Sequence, residues 1–146
     1  MKISGITFAL ALELGPVGEN KVVGYSLLKT CAPSRGPGVY VVIQDRKTIV
    51  YIGSYQTGVI QRWGYSRKTD VYHFKRDLIR DLLPHHRLRV FAQEEKEIKE
   101  QIGQIDNAWV NAHGIESTLI SIHKPVWNKR GNSKWAQSIV QTLEQK

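Results

Sequence analysis

The stretch Gly38-Val39-Tyr40-Val41-Val42-Ile43-Gln44-Asp45-Arg46-Lys47-Thr48-Ile49-Val50-Tyr51-Ile52-Gly53 decides how this chain is read. Two runs rich in β-branched residues flank the polar turn Gln44 to Lys47. They predict a hairpin with strands Gly38 to Ile43 and Thr48 to Gly53. Such a hairpin needs turn residues and apolar positions. It does not need a tyrosine in each strand, eleven positions apart, each with a glycine beside it. Paired strands can place Tyr40 and Tyr51 on one face, either as a cross-strand aromatic pair or as two phenols turned to one ligand.

Upstream, Ile6, Phe8, Leu10, Leu12 and Leu14 alternate with Thr7, Ala9, Ala11 and Glu13, the period of a half-buried strand. Lys2 and the apolar run after it imitate a leader peptide. Glu13 interrupts that run, which is also too short to span a bilayer. A turn at Gly15 to Asn20 lets Lys21 to Leu28 return as a hairpin partner, so residues 1–35 form an N-terminal β-hairpin extension. The breakers in Ala32-Pro33-Ser34-Arg35-Gly36-Pro37 separate it from the central hairpin.

Downstream of Gly53 the period becomes helical. Thr57 to Tyr65 suits a short helix, and Val71, Phe74, Leu78 and Leu82 make an apolar stripe over about 70–83 that Pro84 ends. Arg87 to Phe91 reads as a further strand, and the charged run Glu94 to Glu100 as a solvated helix face. A longer helix is expected from near Asn107 to His123, stopping before Pro125. Ser133 to Leu143 reads as a last helix capped by Ser133. The order predicts an α+β fold: a small central antiparallel sheet flanked by helices over residues 36–130, with a C-terminal helix in 131–146.

With 146 residues, 41% hydrophobic and 23% charged, the chain suits one globular domain with one core. Its 21 Lys and Arg against 13 Asp and Glu give a net charge of +8, which favours an anionic partner, nucleic acid first. Cys31 is the sole cysteine, so an internal disulfide and every zinc site built on paired cysteines are excluded. A reducing, cytoplasmic setting without a membrane partner is expected.

Beyond the tyrosines, Arg62 occurs in the run QRWGYSR, and Glu116 opens a run, ESTLISIHKPVWN, that closes at Asn128. Together a phenol, a guanidinium and a carboxylate suit phosphodiester hydrolysis. The carboxylate can hold a hard divalent cation. The guanidinium can stabilise charge on the pentacoordinate phosphorus, and a phenol of lowered pKa can take a proton from the attacking water. Singly, each residue has a plainer account. Tyr40 and Tyr51 make a packing pair, Arg62 is a surface charge, and Glu116 sits at the edge of a helix face formed by Ile115, Leu119 and Ile122. Trp63, Trp109 and Trp127 are expected in core or rim packing. It is their joint occurrence, in order, that favours chemistry.

In that order the chain resembles the GIY-YIG nucleases, whose two name-giving motifs appear as Gly38-Val39-Tyr40 and Tyr51-Ile52-Gly53. The family's arginine falls at Arg62, its metal-binding glutamate at Glu116 and its asparagine at Asn128. The pattern from Glu116 to Asn128 is similar to the end of the nuclease domain in excision-repair incision subunits and in several restriction enzymes. The resemblance covers roughly Gly38 to Asn128 and implies one Mg²⁺ or Mn²⁺ per active site, held by Glu116. It implies Tyr40 as general base, Tyr51 orienting water or phosphate, Arg62 stabilising the transition state and Asn128 buttressing the site. The expected activity is endonucleolytic cleavage of double-stranded DNA to 5′-phosphate and 3′-hydroxyl ends.

Two departures stand out. Valine replaces the isoleucine of the first motif, one β-branched residue for another. Many relatives also carry a histidine four residues after the arginine, where this chain has Ser66. His73 is the next candidate for that role, or else a solvated surface histidine. Eight Lys and Arg against three Asp lie between Gln61 and Val90, including Arg67, Lys68, Lys75, Arg76 and Arg80, and Lys129 and Arg130 come directly after Asn128. These residues are expected to line a phosphate-binding surface, with the acidic helix from Glu94 facing away.

Rival readings are weaker or separable. Glu97-Ile98-Lys99 has the glutamate-x-lysine pattern of another metal nuclease group, but in a helix-like charge run rather than on a strand. His85, His86 and His113 do not make the hairpin of a His-Asn-His nuclease. A catalytically inactive nucleic-acid-binding module would be expected to have lost Tyr40, Arg62 or Glu116. A restriction-like homodimer, a nickase, and a repair or mobile-element nuclease acting on branched or damaged DNA remain open. So does the use of the N-terminal hairpin for dimerisation, target reading or simple extension of the sheet.

Overall fold

The computed structural model describes residues 1–15, 26–30, 36–63, 76–103 and 111–128, with backbone alone at 26–30, 60, 61, 76, 77 and 80. Its elements are strands β1 (Lys2–Ile3), β2 (Ile6–Thr7), β3 (Ala9–Gly15), β4 (Ser26–Thr30), β5 (Gly38–Gln44) and β6 (Thr48–Tyr55), then helices α1 (Val59–Trp63) and α2 (Arg76–Leu82). Strand β7 (Leu88–Glu94), helices α3 (Glu95–Ile102) and α4 (Ala112–His123) and a 3₁₀ turn (Val126–Asn128) complete them. The fold is α+β, and its main sheet is antiparallel in the order β4-β3-β7-β5-β6.

Strand β5 explains why the two apolar runs read so strongly. It lies between β7 and β6, and all seven of its residues are buried. Odd and even positions therefore both face apolar layers, which suits a continuous Val-Ile run better than an alternating one. Tyr40, Val42, Tyr51, Tyr55, Leu88 and Val90 face the layer that holds α1, α2 and Trp127. Val39, Val41, Ile43, Ile52 and Phe91 face the layer that holds α3 and α4.

The N-terminal hairpin extends this sheet, because β3 pairs with both β4 and β7. The expected single strand from Ile6 to Leu14 is instead two segments. Ser4 and Gly5, both at positive φ, turn β1 back on β2, and Phe8 lies between β2 and β3. Within β3 the register shifts: Leu10 pairs with Phe91, but Leu12 pairs with Val90. The extra residue, Ala11, forms a bulge, and a one-residue slip exchanges the faces. Leu10 thus joins the α3–α4 layer and Leu12 and Leu14 the opposite one, so an apparently one-faced strand serves both cores.

Other boundaries also differ. The return strand includes Ser26–Thr30, two residues beyond the expected end at Leu28, its expected start at Lys21 lying outside the described residues, and β7 runs on to Glu94 instead of stopping at Phe91. Helix α4 starts at Ala112, capped by Asn111, whose Oδ1 accepts from the Gly114 N–H at 2.8 Å. The charged run is helical, yet Ile98 is fully buried, so α3 is anchored to the sheet by one apolar residue among its charges. On α4 the buried stripe is Ala112, Ile115 and Leu119, whereas Ile122 is 58% exposed and leaves the expected face. The helix expected at Ser133 to Leu143, Trp109, and the start of the helix expected near residue 70 lie outside the described residues.

Candidate active site

The glycines beside the tyrosines now have a cause. Across the β5–β6 ladder Tyr40 pairs with Gly53, and Gly38 pairs with Tyr55. A side chain on Gly53 would overlap Cζ and Oη of Tyr40. One on Gly38 would overlap the same atoms of Tyr55 and lie 2.6 Å from the Gln93 carbonyl oxygen. Each ring lies over the glycine opposite it, and neither glycine is at positive φ. Their smallness, not their conformational freedom, is what the sheet uses. Tyr55, four positions after Tyr51 on the same strand face, is a residue whose place the sequence pattern signals and whose partner glycine only the register identifies.

The ladder sets Tyr51 opposite Val42, one diagonal step from Tyr40, so both phenols share a face as expected. Their ring centroids are 5.9 Å apart and their hydroxyls share a hydrogen bond. Trp63 of α1 meets the Tyr40 ring edge-on at 5.4 Å, and Trp127 lies 6.4 Å from the ring of Tyr51. These two tryptophans are buried packing residues, in keeping with their expected role.

Arg62 comes from the last turn of α1, on the Tyr40 side of the sheet. Glu116 comes from α4, which packs on the other side. Strand β6 is an edge of the sheet, and the chain after α4 passes from one layer to the other. Lys124, at φ 46°, ends α4, and the 3₁₀ turn then carries Trp127 into the layer that holds Tyr51. Arg62 and Glu116 both bear electrostatically on the Tyr40 hydroxyl, in opposite directions. The Glu116 carboxylate is 17% exposed and lies 3.4 Å from Nδ1 of His113.

Asn128 closes the crossing. Its Oδ1 accepts from the Ile52 N–H at 2.9 Å, and its Nδ2 donates to the Ile52 carbonyl at 2.8 Å. One side-chain amide thus takes the place of a further strand on the outer edge of β6, at the residue between Tyr51 and Gly53. Truncation to Asn128→Ala strands both groups and is expected to destabilise the fold by about 2–3 kcal/mol, seen as a lower urea midpoint. Asn128→Asp should not rescue it, because a carboxylate would face the Ile52 carbonyl oxygen.

The pKa expected of Tyr40 needs correction. Burial is the largest influence on its phenol and raises the pKa well above the ordinary 10.0; the neighbouring Tyr51 adds to the rise, while Arg62 opposes it. At neutral pH Tyr40 is therefore a neutral phenol. Its neutral form is favoured in the folded state, so stability contributed by Tyr40 is fully present below pH 10.0 and is lost as pH rises above it. Chemical denaturation at about pH 9 and at about pH 11, on either side of the ordinary phenol value, should show this fall, and the fall should be smaller in Tyr40→Phe.

His73, Arg67, Lys68, Lys75, Lys129 and Arg130 lie outside the described residues, as do the side chains of Arg76 and Arg80, whose backbone belongs to α2. Glu97-Ile98-Lys99 sits on α3, not on a strand. His86 is buried against Asp45, its Nδ1 2.8 Å from Oδ2, at the far end of the hairpin. Comparison with family models, curated proteins and solved structures found no match to this chain.

Proposed function

We propose that this chain is a divalent-metal-dependent endodeoxyribonuclease of the GIY-YIG type, acting on double-stranded DNA in a restriction-like or nicking manner and leaving 5′-phosphate and 3′-hydroxyl ends. The observation that carries this reading is that Tyr51 hydrogen-bonds the Tyr40 hydroxyl while Arg62 and Glu116, from α1 and α4, both act on it electrostatically. Packing alone accounts for the two rings. It does not call for a guanidinium and a carboxylate close enough to act on one phenol from different elements.

The residues fit a hard cation. Glu116 is the carboxylate assigned to it; among the described residues no three His, Cys, Asp or Glu side chains converge. Mg²⁺ is commonly bound through one or two carboxylates, its other positions filled by water and substrate phosphate. When bound, the ion supplies positive charge at the scissile phosphate and the leaving oxygen. The chain's own groups do the rest. Arg62 stabilises negative charge on the phosphorus oxygens. Tyr51 and the neutral Tyr40 orient water and phosphate by hydrogen bonding, and removal of a proton by Tyr40 depends on positive charge beside its hydroxyl, part of which Arg62 provides. Asn128 holds the strand that bears Tyr51.

The test incubates supercoiled plasmid and Mg²⁺ with the parent protein and with a folded Glu116→Ala variant. Nicked or linear product from the parent alone is the expected result. A parent that binds DNA and yields no product would instead favour the inactive binding module, a reading the net charge of +8 equally serves.

A further inference from the structure

We propose that His113 is a second protein ligand at the Glu116 metal position, and that the pair selects a transition metal such as Zn²⁺, Co²⁺ or Mn²⁺ over Mg²⁺. His113 and Glu116 stand three residues apart on α4, so their side chains leave the helix on one face, a turn apart. Nδ1 of His113 lies 3.4 Å from Oε2 of Glu116. Ligand arms of about 2.1 Å to a tetrahedral ion set neighbouring donors about 3.4 Å apart, so one ion fits between these atoms with little side-chain movement. An octahedral ion with arms of the same length asks for about 3.0 Å, a small closure of the same pair.

The imidazole is 80% exposed and the carboxylate 17%. The pair therefore presents its donors outward to water and substrate, with Glu116 as the inner anchor. As an exposed i,i+3 ion pair it would contribute little to helix stability. Imidazole nitrogen is a good ligand for borderline transition metals and a poor one for Mg²⁺, which takes oxygen. With two protein ligands, the remaining coordination positions stay open to water and a phosphate oxygen, as a catalytic site requires.

The inference rests on the nuclease reading only for the purpose of the site; the binding itself is tested without DNA. Co²⁺ is titrated into the parent, His113→Ala, Glu116→Gln and His85→Ala, followed by visible absorption and calorimetry, with parallel Mg²⁺ titrations. His113 and His85 are exposed, so both alanine variants should keep the parent's far-ultraviolet circular dichroism. Expected are a loss of Co²⁺ affinity of roughly tenfold or more in His113→Ala, little change in its Mg²⁺ affinity, loss of both in Glu116→Gln and no change in His85→Ala. Parent-like Co²⁺ binding by His113→Ala, or an equal loss in His85→Ala, would overturn the proposal. If plasmid cleavage fails while His113-dependent Co²⁺ binding holds, the nuclease reading falls and the metal site stands. If cleavage persists while Co²⁺ binding is independent of His113, the metal site falls and the nuclease reading stands.

Discussion

Arg62→Ala is expected to cut plasmid cleavage by about 10²–10³-fold, and Glu116→Ala by at least as much. Both groups bear on Tyr40 from elements that pack on opposite sides of the sheet. Neither is buried deeply enough for its loss to open a core cavity, so the folded fraction should hardly change. Arg62→Lys should restore little, because an ammonium cannot make the forked, planar contact of a guanidinium with phosphate oxygens. In the double variant the losses should not multiply, since groups that act on one transition state are not additive. Single-turnover rates at saturating DNA separate this from weaker binding. A drop of less than about tenfold for both variants, far short of the usual loss, would remove the basis of the hydrolytic mechanism.

The second large effect concerns stability. Gly53→Ala is expected to destabilise the fold by about 3 kcal/mol or more, at the upper end for overpacked sites, lowering Tm by roughly 10 °C. The added methyl meets Cζ and Oη of Tyr40, and that ring cannot retreat. Trp63 meets it edge-on at 5.4 Å, Tyr51 lies 5.9 Å away between ring centroids, and the ring is fully buried. Tyr40→Phe would leave the Cζ overlap, whereas Tyr40→Ala would remove it. The Gly53→Ala penalty should accordingly shrink in a Tyr40→Ala background, and the double-mutant cycle reads that coupling directly. Equal penalties in both backgrounds would mean the ring and the glycine are not in contact. Because the same ring is the proposed chemical group, a surviving Gly53→Ala protein should also show altered cleavage.

Much of this architecture could be read from residue order. The β5–β6 hairpin was legible because its strands are β-branched and its turn polar, and both features act through neighbours a few residues away. The α+β class and the helical periods around α1, α2 and α4 follow from the same local rules; the shared face of Tyr40 and Tyr51, though expected, rests on the register shift at Val50. The pairing of Tyr40 with Gly53 and Tyr55 with Gly38 did not follow from the turn: Ile43 pairs with Ile49 but Val42 with Tyr51, and this shift at Val50 is what brings each glycine opposite a ring.

What residue order could not reveal depends on contacts between distant segments. Alternation from Ile6 to Leu14 looked one-faced, since a bulge at Ala11 has no local signature and becomes visible only when β3 is paired with β7. The expected lowering of the Tyr40 pKa failed for a related reason. Its neighbours in sequence say nothing of the burial beneath α1, which decides the sign. The anchoring of Asn128 on the edge of β6, through both backbone groups of Ile52, likewise joins segments 76 residues apart. Local chemistry determined which residues were candidates. Which of them lie near Tyr40 was decided by tertiary packing, because register and burial depend on segments far apart in the chain.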